Sequence, residues 1–297
     1  MFAYIFPGQG SQAVGMGAGL FERFPRLVEE ADDLLGYSTR QLCLEDPHEH
    51  LQRTAYAQPA IYLSNALHLA DFREQGVDSP AYCAGHSLGE YSALYAAGAI
   101  DFSTGLKLVR RRGELFEQCS TGSAMAAVVG LKLSRIKAVL RDEGLASIDL
   151  ANFNTSLQTV LAGPVADLQQ AGVVLERAGC VLFSLLKVNG AFHSRYLSPI
   201  RSDFAETLAS CTFSALRVPV IANVTARPYQ AGRTPEYLLE QLDHPVRWVE
   251  TLRYLASQGI TQLHELGHGQ LLRGLCRSLL REQRQLAKER EKLPGVN

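Results

Sequence analysis

The period of the hydrophobic positions changes repeatedly along this chain, and the changes outline its elements. Positions 2–6 (FAYIF) are apolar throughout, as in a strand buried on both faces, and a Gly-rich turn follows. Positions 20–35 and 58–74 carry helical spacing. Positions 80–86 (PAYCAGH) predict a short strand. LGEYSALYAAGA then predicts a helix rich in Ala and Leu that closes near Gly98, and a second helix covers about 102–118. Beyond it the grain changes. Positions 124–131 predict a strand, 133–143 a helix, 147–152 and 158–162 two short strands, 164–178 a helix and 180–188 a strand. That β-α-β-β-α-β order is ferredoxin-like. The larger pattern resumes with helix 194–210, strand 218–224, helices 235–242 and 246–258, strand 260–265 and a last helix from near Gln270. The chain is therefore expected to be an α/β protein. A large domain (1–123 and 189–280) carries an inserted ferredoxin-like subdomain (124–188). From 281 a charged tail, REQRQLAKEREKLPGVN, extends the last helix, frays or links to something further. It is given no catalytic role.

Composition narrows the function classes. The 297 residues are 46% hydrophobic and 20% charged, which is ordinary for a globular chain. The net charge of −1 gives nucleic acid or an anionic membrane nothing global to bind. No apolar run approaches a bilayer span. The start, MFAYIFPGQG, lacks a basic n-region and meets Pro-Gly after six residues, so it reads as a strand and not a signal peptide. The six cysteines are scattered with no C-x-x-C, as expected of buried thiols in a reducing compartment, and a cytoplasmic location follows. The eight histidines contain no H-E-x-x-H, and His48 and His50 in DPHEH read as a solvated loop. No metal is expected.

The candidate chemistry begins at AGHSLGEY, positions 84–91, which contains Gly-x-Ser-x-Gly around Ser87. Strand, tight turn and helix is the setting of a nucleophile elbow, so the large domain is expected to be α/β-hydrolase-like. There the amide after the serine, that of Leu88, points where an oxyanion forms. The competing role for Ser87 is to cap the helix that follows. A nucleophilic serine needs a base. The adjacent His86 should point away from Ser87. His193, in NGAFHS, lies where the chain returns from the inserted subdomain, and a loop could hold it over Ser87. A structural role at a helix start is the alternative. No acidic third member is evident, and a main-chain carbonyl could orient the imidazole.

Arg112 is the sharpest signal. On a helix over 105–117, at about 100° per residue, Leu108, Val109, Leu115 and Phe116 form one stripe. Arg110 points away from it, Arg111 lies at its edge and Arg112 falls in its centre. A buried guanidinium needs an anion. That anion is either an internal carboxylate or a substrate carboxylate held by the planar fork. The turn PGQGSQA at 7–13 also has two readings. Gly8-x-Gly10-x-x-Ala13 after a strand fits a loose dinucleotide fingerprint, with Glu29 and Glu30 at the distance of a ribose contact. Otherwise its glycines let the loop approach the elbow, where Gln9 helps to polarise an acyl oxygen.

Taken together these residues resemble the malonyl-CoA:acyl carrier protein transacylase family. The matching pieces are FPGQGSQ at 6–12, TAYAQPA at 54–60, GHSLGEYSAL at 85–94, RRG at 111–113, AAVVGL at 126–131, NFN at 152–154, GAFHS at 190–194, QLDHPVRW at 241–248 and ELGHGQLLRGL at 265–275. They run in family order over nearly the whole chain. The resemblance implies that Ser87 is acylated, that His193 is its base and that the Gln241 carbonyl orients the imidazole. It implies an oxyanion hole from the Gln9 and Leu88 amides, and Arg112 binding the free carboxylate of an extender unit. Phe192 is similar to the malonyl-selective pattern Ala-Phe-His-Ser, where methylmalonyl-selective members carry Ala-Ser-His. The bulky ring leaves less room for an α-methyl, an effect of roughly 1–3 kcal/mol. The residue two before it is Gly190, where that pattern usually has His. Asn154 is a candidate contact for CoA or its pantetheine arm.

The implied reaction is ping-pong transfer of malonyl from malonyl-CoA to the phosphopantetheine thiol of an acyl carrier protein, without a cofactor of the protein's own. GYSTRQLCLEDP at 36–47 and AIYLSNAL at 60–67 look more like the free-standing acyltransferases that serve modular polyketide synthases in trans than like fatty-acid enzymes. The expected partners are acyl carrier protein domains, met by a monomer, with no nucleic acid and no membrane. Two other classes remain. A hydrolase clearing acyl groups from carrier proteins would not need the Arg112 clamp, and a non-catalytic homologue would not need Ser87, His193 and Arg112 together.

Overall fold

A computed structural model describes residues 1–77, 79–119 and 122–291, the stretch 282–291 as helical backbone. The chain opens with β1 (Phe2–Phe6), then turns without helix until α1 (Pro25–Leu35). The predicted helix from 20 starts late because Gly15, Gly17 and Gly19 all have positive φ, at 92°, 76° and 80°. Pro25 supplies a preset first turn. Next come α2 (Thr39–Leu44), a 3-10 turn (His50–Gln52) and α3 (Thr54–Glu74). The two short pieces carry too few residues for a period to show, although Ser38 caps α2 by accepting from the Gln41 amide at 3.2 Å. Helix α3 starts four residues before the prediction and keeps Pro59 inside it.

β2 (Tyr82–Gly85), α4 (Gly89–Ala96) and α5 (Phe102–Gln118) follow. The predicted β-α-β-β-α-β run appears as β3 (Ser123–Val129), α6 (Leu133–Asp142), β4 (Asp149–Phe153), β5 (Gln158–Pro164), α7 (Val165–Arg177) and β6 (Leu182–Leu185). The predicted helix at 194–210 is divided into a 3-10 segment (Arg195–Ile200) and α8 (Arg201–Ala209). Pro199 lies inside the 3-10 piece, where it lacks an N–H and restrains Ser198 before it. The chain ends with β7 (Val220–Ala222), the two-residue β8 (Arg227–Pro228), α9 (Thr234–Glu240), α10 (Trp248–Ser257), β9 (Gln262–Glu265) and α11 (Leu271–Glu291). The helix thus runs into the predicted tail as far as Glu291, and 292–297 lie outside the described residues.

The strands form two sheets. One has the order β8-β7-β2-β1-β9, parallel except for the edge strand β8. The other is antiparallel, in the order β4-β5-β3-β6. The central strands of the first sheet are buried on both faces, which explains their unbroken apolar sequence. The sheets are stitched together near β4. A register shift between Leu150 and Asn152 frees Asn152 to bridge Val246, with Phe153 N donating to Val246 O at 2.9 Å and Val246 N to Ala151 O at 2.9 Å.

Candidate active site

Because β1, β2 and β7 are parallel, the loops leaving them gather at one edge of the sheet. Their backbones approach more closely than any side chain would permit. An added Cβ would lie 1.9 Å from the Gly89 carbonyl carbon at Gly85, 2.0 Å from Phe6 O at Gly89 and 2.3 Å from His86 O at Gly8. These glycines let the turn between β2 and α4 fold back on itself with loop 7–13 against it. At its apex Ser87 has φ of 53°. Such a conformation costs a non-glycine residue on the order of 1–3 kcal/mol. Asn223, just after β7, holds it on both sides: its carboxamide oxygen accepts from Ser87 N at 2.8 Å and its amide donates to Gly85 O at 2.7 Å.

Ser87 Oγ lies 2.6 Å from His193 Nε2. His193 Nδ1 lies 2.8 Å from the main-chain oxygen of Gln241, the residue that caps the C-terminus of α9. A carbonyl can only accept, so Nδ1 carries the proton and Nε2 is left to accept from the serine. His193 has φ of 57° and is 3% exposed. Burial, reinforced by the nearby Arg112 guanidinium, pulls its pKa down to about 3. The imidazole is therefore neutral at physiological pH.

Arg112 comes from α5 and is 1% exposed, as its place in the apolar stripe predicts. One amino group donates to Gln58 Oε1 at 2.8 Å. The other donates to Ser87 Oγ and to Gln241 Oε1, both at 3.1 Å. Among the described residues its Nε has no hydrogen-bond partner. Among the described residues no carboxylate lies within ion-pair distance of it, although Glu90 acts on it at longer range. Phe116 lies beneath it, 4.1 Å from ring centroid to guanidinium carbon. Phe192 packs on Phe116 at 4.7 Å between centroids and is thus one ring removed from the guanidinium.

The structure brings Ser87, His193, Arg112 and Gln241 together, with Leu88 adjoining. Loop 7–13 lies against the elbow, where a Cβ on Gly8 would come 3.4 Å from Leu88 N. Among the described residues neither the Leu88 nor the Gln9 main-chain N–H has a partner, although Leu88 is fully buried. The Gln9 side chain donates to Thr54 Oγ1 at 3.1 Å. The dinucleotide reading of this loop is overturned, because no helix starts there to receive a pyrophosphate: α1 begins only at Pro25. His86 points away from Ser87, as expected. Its Nε2 pairs with Asn154 Oδ1 at 2.9 Å, and its ring meets Trp248 edge-on. Asn154 is accordingly 7% exposed and joins the second sheet to the elbow; it is not part of the Ser87 cluster.

Sequence reasoning missed three residues of this site. Gln58 and Asn223 are described above. Glu90 on α4 is wholly buried and accepts from Asn223 N at 3.1 Å, Tyr229 Oη at 2.5 Å and Gln241 Nε2 at 2.5 Å. Burial raises its pKa to about 7 against the pull of those three donors. A lone carboxylate in the apolar run LGEYSALYAAGA is the same kind of signal that singled out Arg112. Among the described residues no group of three or more His, Cys, Asp or Glu could hold a metal, and no helix is long and apolar enough to cross a membrane.

An α/β protein with a half-buried serine on a strained turn, a buried neutral imidazole beside it and unpartnered amides at the same elbow has the parts that acyl-serine chemistry uses. The comparisons with known proteins place it further. A family model described as acyl transferase domain matches residues 3–290. The chain is 46% identical over 283 residues to the "Polyketide biosynthesis malonyl CoA-acyl carrier protein transacylase BaeC" of Bacillus velezensis, covering 95% of this chain and 98% of that one. The crystal structure of malonyl CoA-acyl carrier protein transacylase from Burkholderia pseudomallei superimposes with a TM-score of 0.91 at 43% identity, over 95% of this chain and 98% of that one. A type II PKS acyl-carrier protein in complex with its malonyl-transacylase gives 0.90 at 35% identity, over 94% and 93%. The chain belongs to the acyl transferase domain family.

Proposed function

We propose that this protein moves malonyl from malonyl-CoA to the phosphopantetheine thiol of an acyl carrier protein through an acyl-Ser87 intermediate, in trans for a polyketide synthase. The observation that carries this reading is Arg112: a buried cation with only neutral oxygens as partners, one of them the oxygen to be acylated. A carboxylate one carbon beyond the thioester carbonyl gives that cation its anion. An acyl chain without a carboxylate does not.

His193 Nε2 takes the Ser87 proton as Oγ attacks the thioester carbonyl, and the amides of Leu88 and Gln9 donate to the oxyanion. When the C–S bond breaks, the sulfur of CoA takes the proton back from Nε2. The carrier thiol then repeats the sequence against the acyl-serine. Gln241 O holds the Nδ1 proton throughout. Thioester is exchanged for thioester, so no metal or bound cofactor of the protein's own is required. Phe192, behind Phe116, limits the room for an α-methyl group. In the same reading the chain acts as a monomer in the cytoplasm, with 1–123 and 189–280 as a catalytic domain and 124–188 as an insertion. All six cysteines are free, which suits that compartment.

The test is intact-mass spectrometry after mixing with equal acetyl-, malonyl- and methylmalonyl-CoA, followed by a chase with buffer or carrier protein. A malonyl adduct that is absent in Ser87→Ala, survives in buffer and moves to the carrier is the expected outcome. An acetyl adduct, or one lost equally fast in buffer alone, replaces the transferase reading with the editing hydrolase.

A further inference from the structure

Glu90 touches neither Ser87 Oγ nor the guanidinium, and its wholly buried carboxylate is held by three hydrogen bonds instead of a cation. Its bonds lead to Arg112 through one side chain. Gln241 Nε2 has two protons, one given to Glu90 Oε2 at 2.5 Å and the other to the Ser87 carbonyl at 2.9 Å. With both donors committed, the carboxamide oxygen faces the other way, and it accepts from Arg112 at 3.1 Å. The Gln241 main chain meanwhile orients His193. We infer that Glu90 is a positioning residue for the carboxylate clamp: through the Gln241 carboxamide it fixes the orientation of Arg112 and so sets the preference for acyl groups that carry a free carboxylate. This rests on the reading of Arg112 given above.

Donor counting supports the inference. Glu90 is met by three donors, the Asn223 N–H, the Tyr229 hydroxyl and the Gln241 amide. Only the tyrosine can turn round and accept. A proton on Oε1 can be given to the Tyr229 hydroxyl, but it removes the negative charge that holds the Gln241 amide on Oε2 and so loosens the carboxamide that orients Arg112. The charged and titratable groups facing Glu90 are Arg112 from α5, Tyr91 on its own helix and Tyr229 from beyond β8, with Tyr237 of α9 stacked edge-on against Tyr229. Burial keeps Tyr91 and Tyr229 neutral, so Glu90 is the member that titrates near neutrality.

The experiment measures the ratio of malonyl to acetyl loading of Ser87 from malonyl- and acetyl-CoA, each alone, in wild type and Glu90→Gln, across the pH range on both sides of 7. Wild type should lose preference for malonyl as pH falls through about 7. Glu90→Gln, which presents an amide to an amide, should show a ratio at least about tenfold lower and independent of pH, with the change mainly in KM. Equal loss of both activities in the variant, or an unchanged ratio, overturns the inference while leaving the malonyl reading standing. A wild type without malonyl preference overturns both. The wild-type pH profile needs no variant, so a Glu90→Gln protein that does not fold leaves the test decisive: a flat profile overturns the inference.

Discussion

Replacing His193 by Asn removes the titratable ring while leaving an amide able to donate to Gln241 O. The wild-type ring is neutral in the folded protein down to about pH 3, because burial and Arg112 oppose its charge. In the unfolded chain it takes a proton near pH 6.5. Between these values the unfolded state binds more protons, so the group's contribution to stability is complete above about pH 6.5 and is lost as pH falls. At about pH 5 the loss is roughly 1.5 units of 1.36 kcal/mol, about 2 kcal/mol. Any folded pKa below about 4 gives nearly the same figure. Glu90 acts in the opposite sense. Its pKa is raised from 4.5 to about 7, so the folded state binds the extra proton and stability falls as pH rises through that window. The wild-type slope alone therefore mixes opposing groups, with half-buried His68 and His86 adding to the His193 effect. Glu90 is common to both proteins and cancels in their difference. Urea unfolding of wild type and His193→Asn at about pH 5 and about pH 7.5 should show the variant gaining about 2 kcal/mol on wild type at the lower pH. A difference that is the same at both values refutes the depressed imidazole, and with it a base that is ready at every physiological pH.

Gly113→Ala puts a Cβ 2.8 Å from Thr54 O, where α5 crosses the first turn of α3; chemical denaturation should show a loss of about 1–3 kcal/mol. Phe192→Ser should raise methylmalonyl loading relative to malonyl by roughly tenfold in the competition assay, and an unchanged ratio would show that the ring does not bound the acyl pocket. Asn154→Ala leaves the half-buried His86 Nε2 unpaired, so thermal unfolding should register about 1–3 kcal/mol of destabilisation. KM for malonyl-CoA in the same variant tests the expected CoA contact: a large rise places Asn154 on the CoA path, and an unchanged KM leaves it the His86 partner alone.

The sequence was most legible where a single element explains itself. The apolar runs of β1 and β2 and the spacing of α5 need no distant partner, and their predicted bounds lie within a few residues of those observed. Short pieces such as α2 and β8 escaped because six and two residues hold too little of any period. Helix α3 was cut short at its start because Pro59 reads as a boundary. There the packing of its first turn under Gly113 outweighed one lost hydrogen bond.

The site divides along the same line. A helical wheel shows that Arg112 is buried, but not whether an acid or three amide and hydroxyl oxygens await it. The deciding partners arrive from α3, the elbow and the end of α9, at separations of 54, 25 and 129 residues. For Glu90 the helix pattern was equally available: LGEYSALYAAGA surrounds one acid with small and apolar residues. Its three donors, however, come from 133 to 151 residues away. Each polar group stranded in an apolar run thus announced that a network must exist. Only the fold could show that the two strands of it, cation and carboxylate, meet through the two ends of one carboxamide. That arrangement keeps the negative charge close to Arg112 with no ion pair between them, as the proposed carboxylate clamp requires.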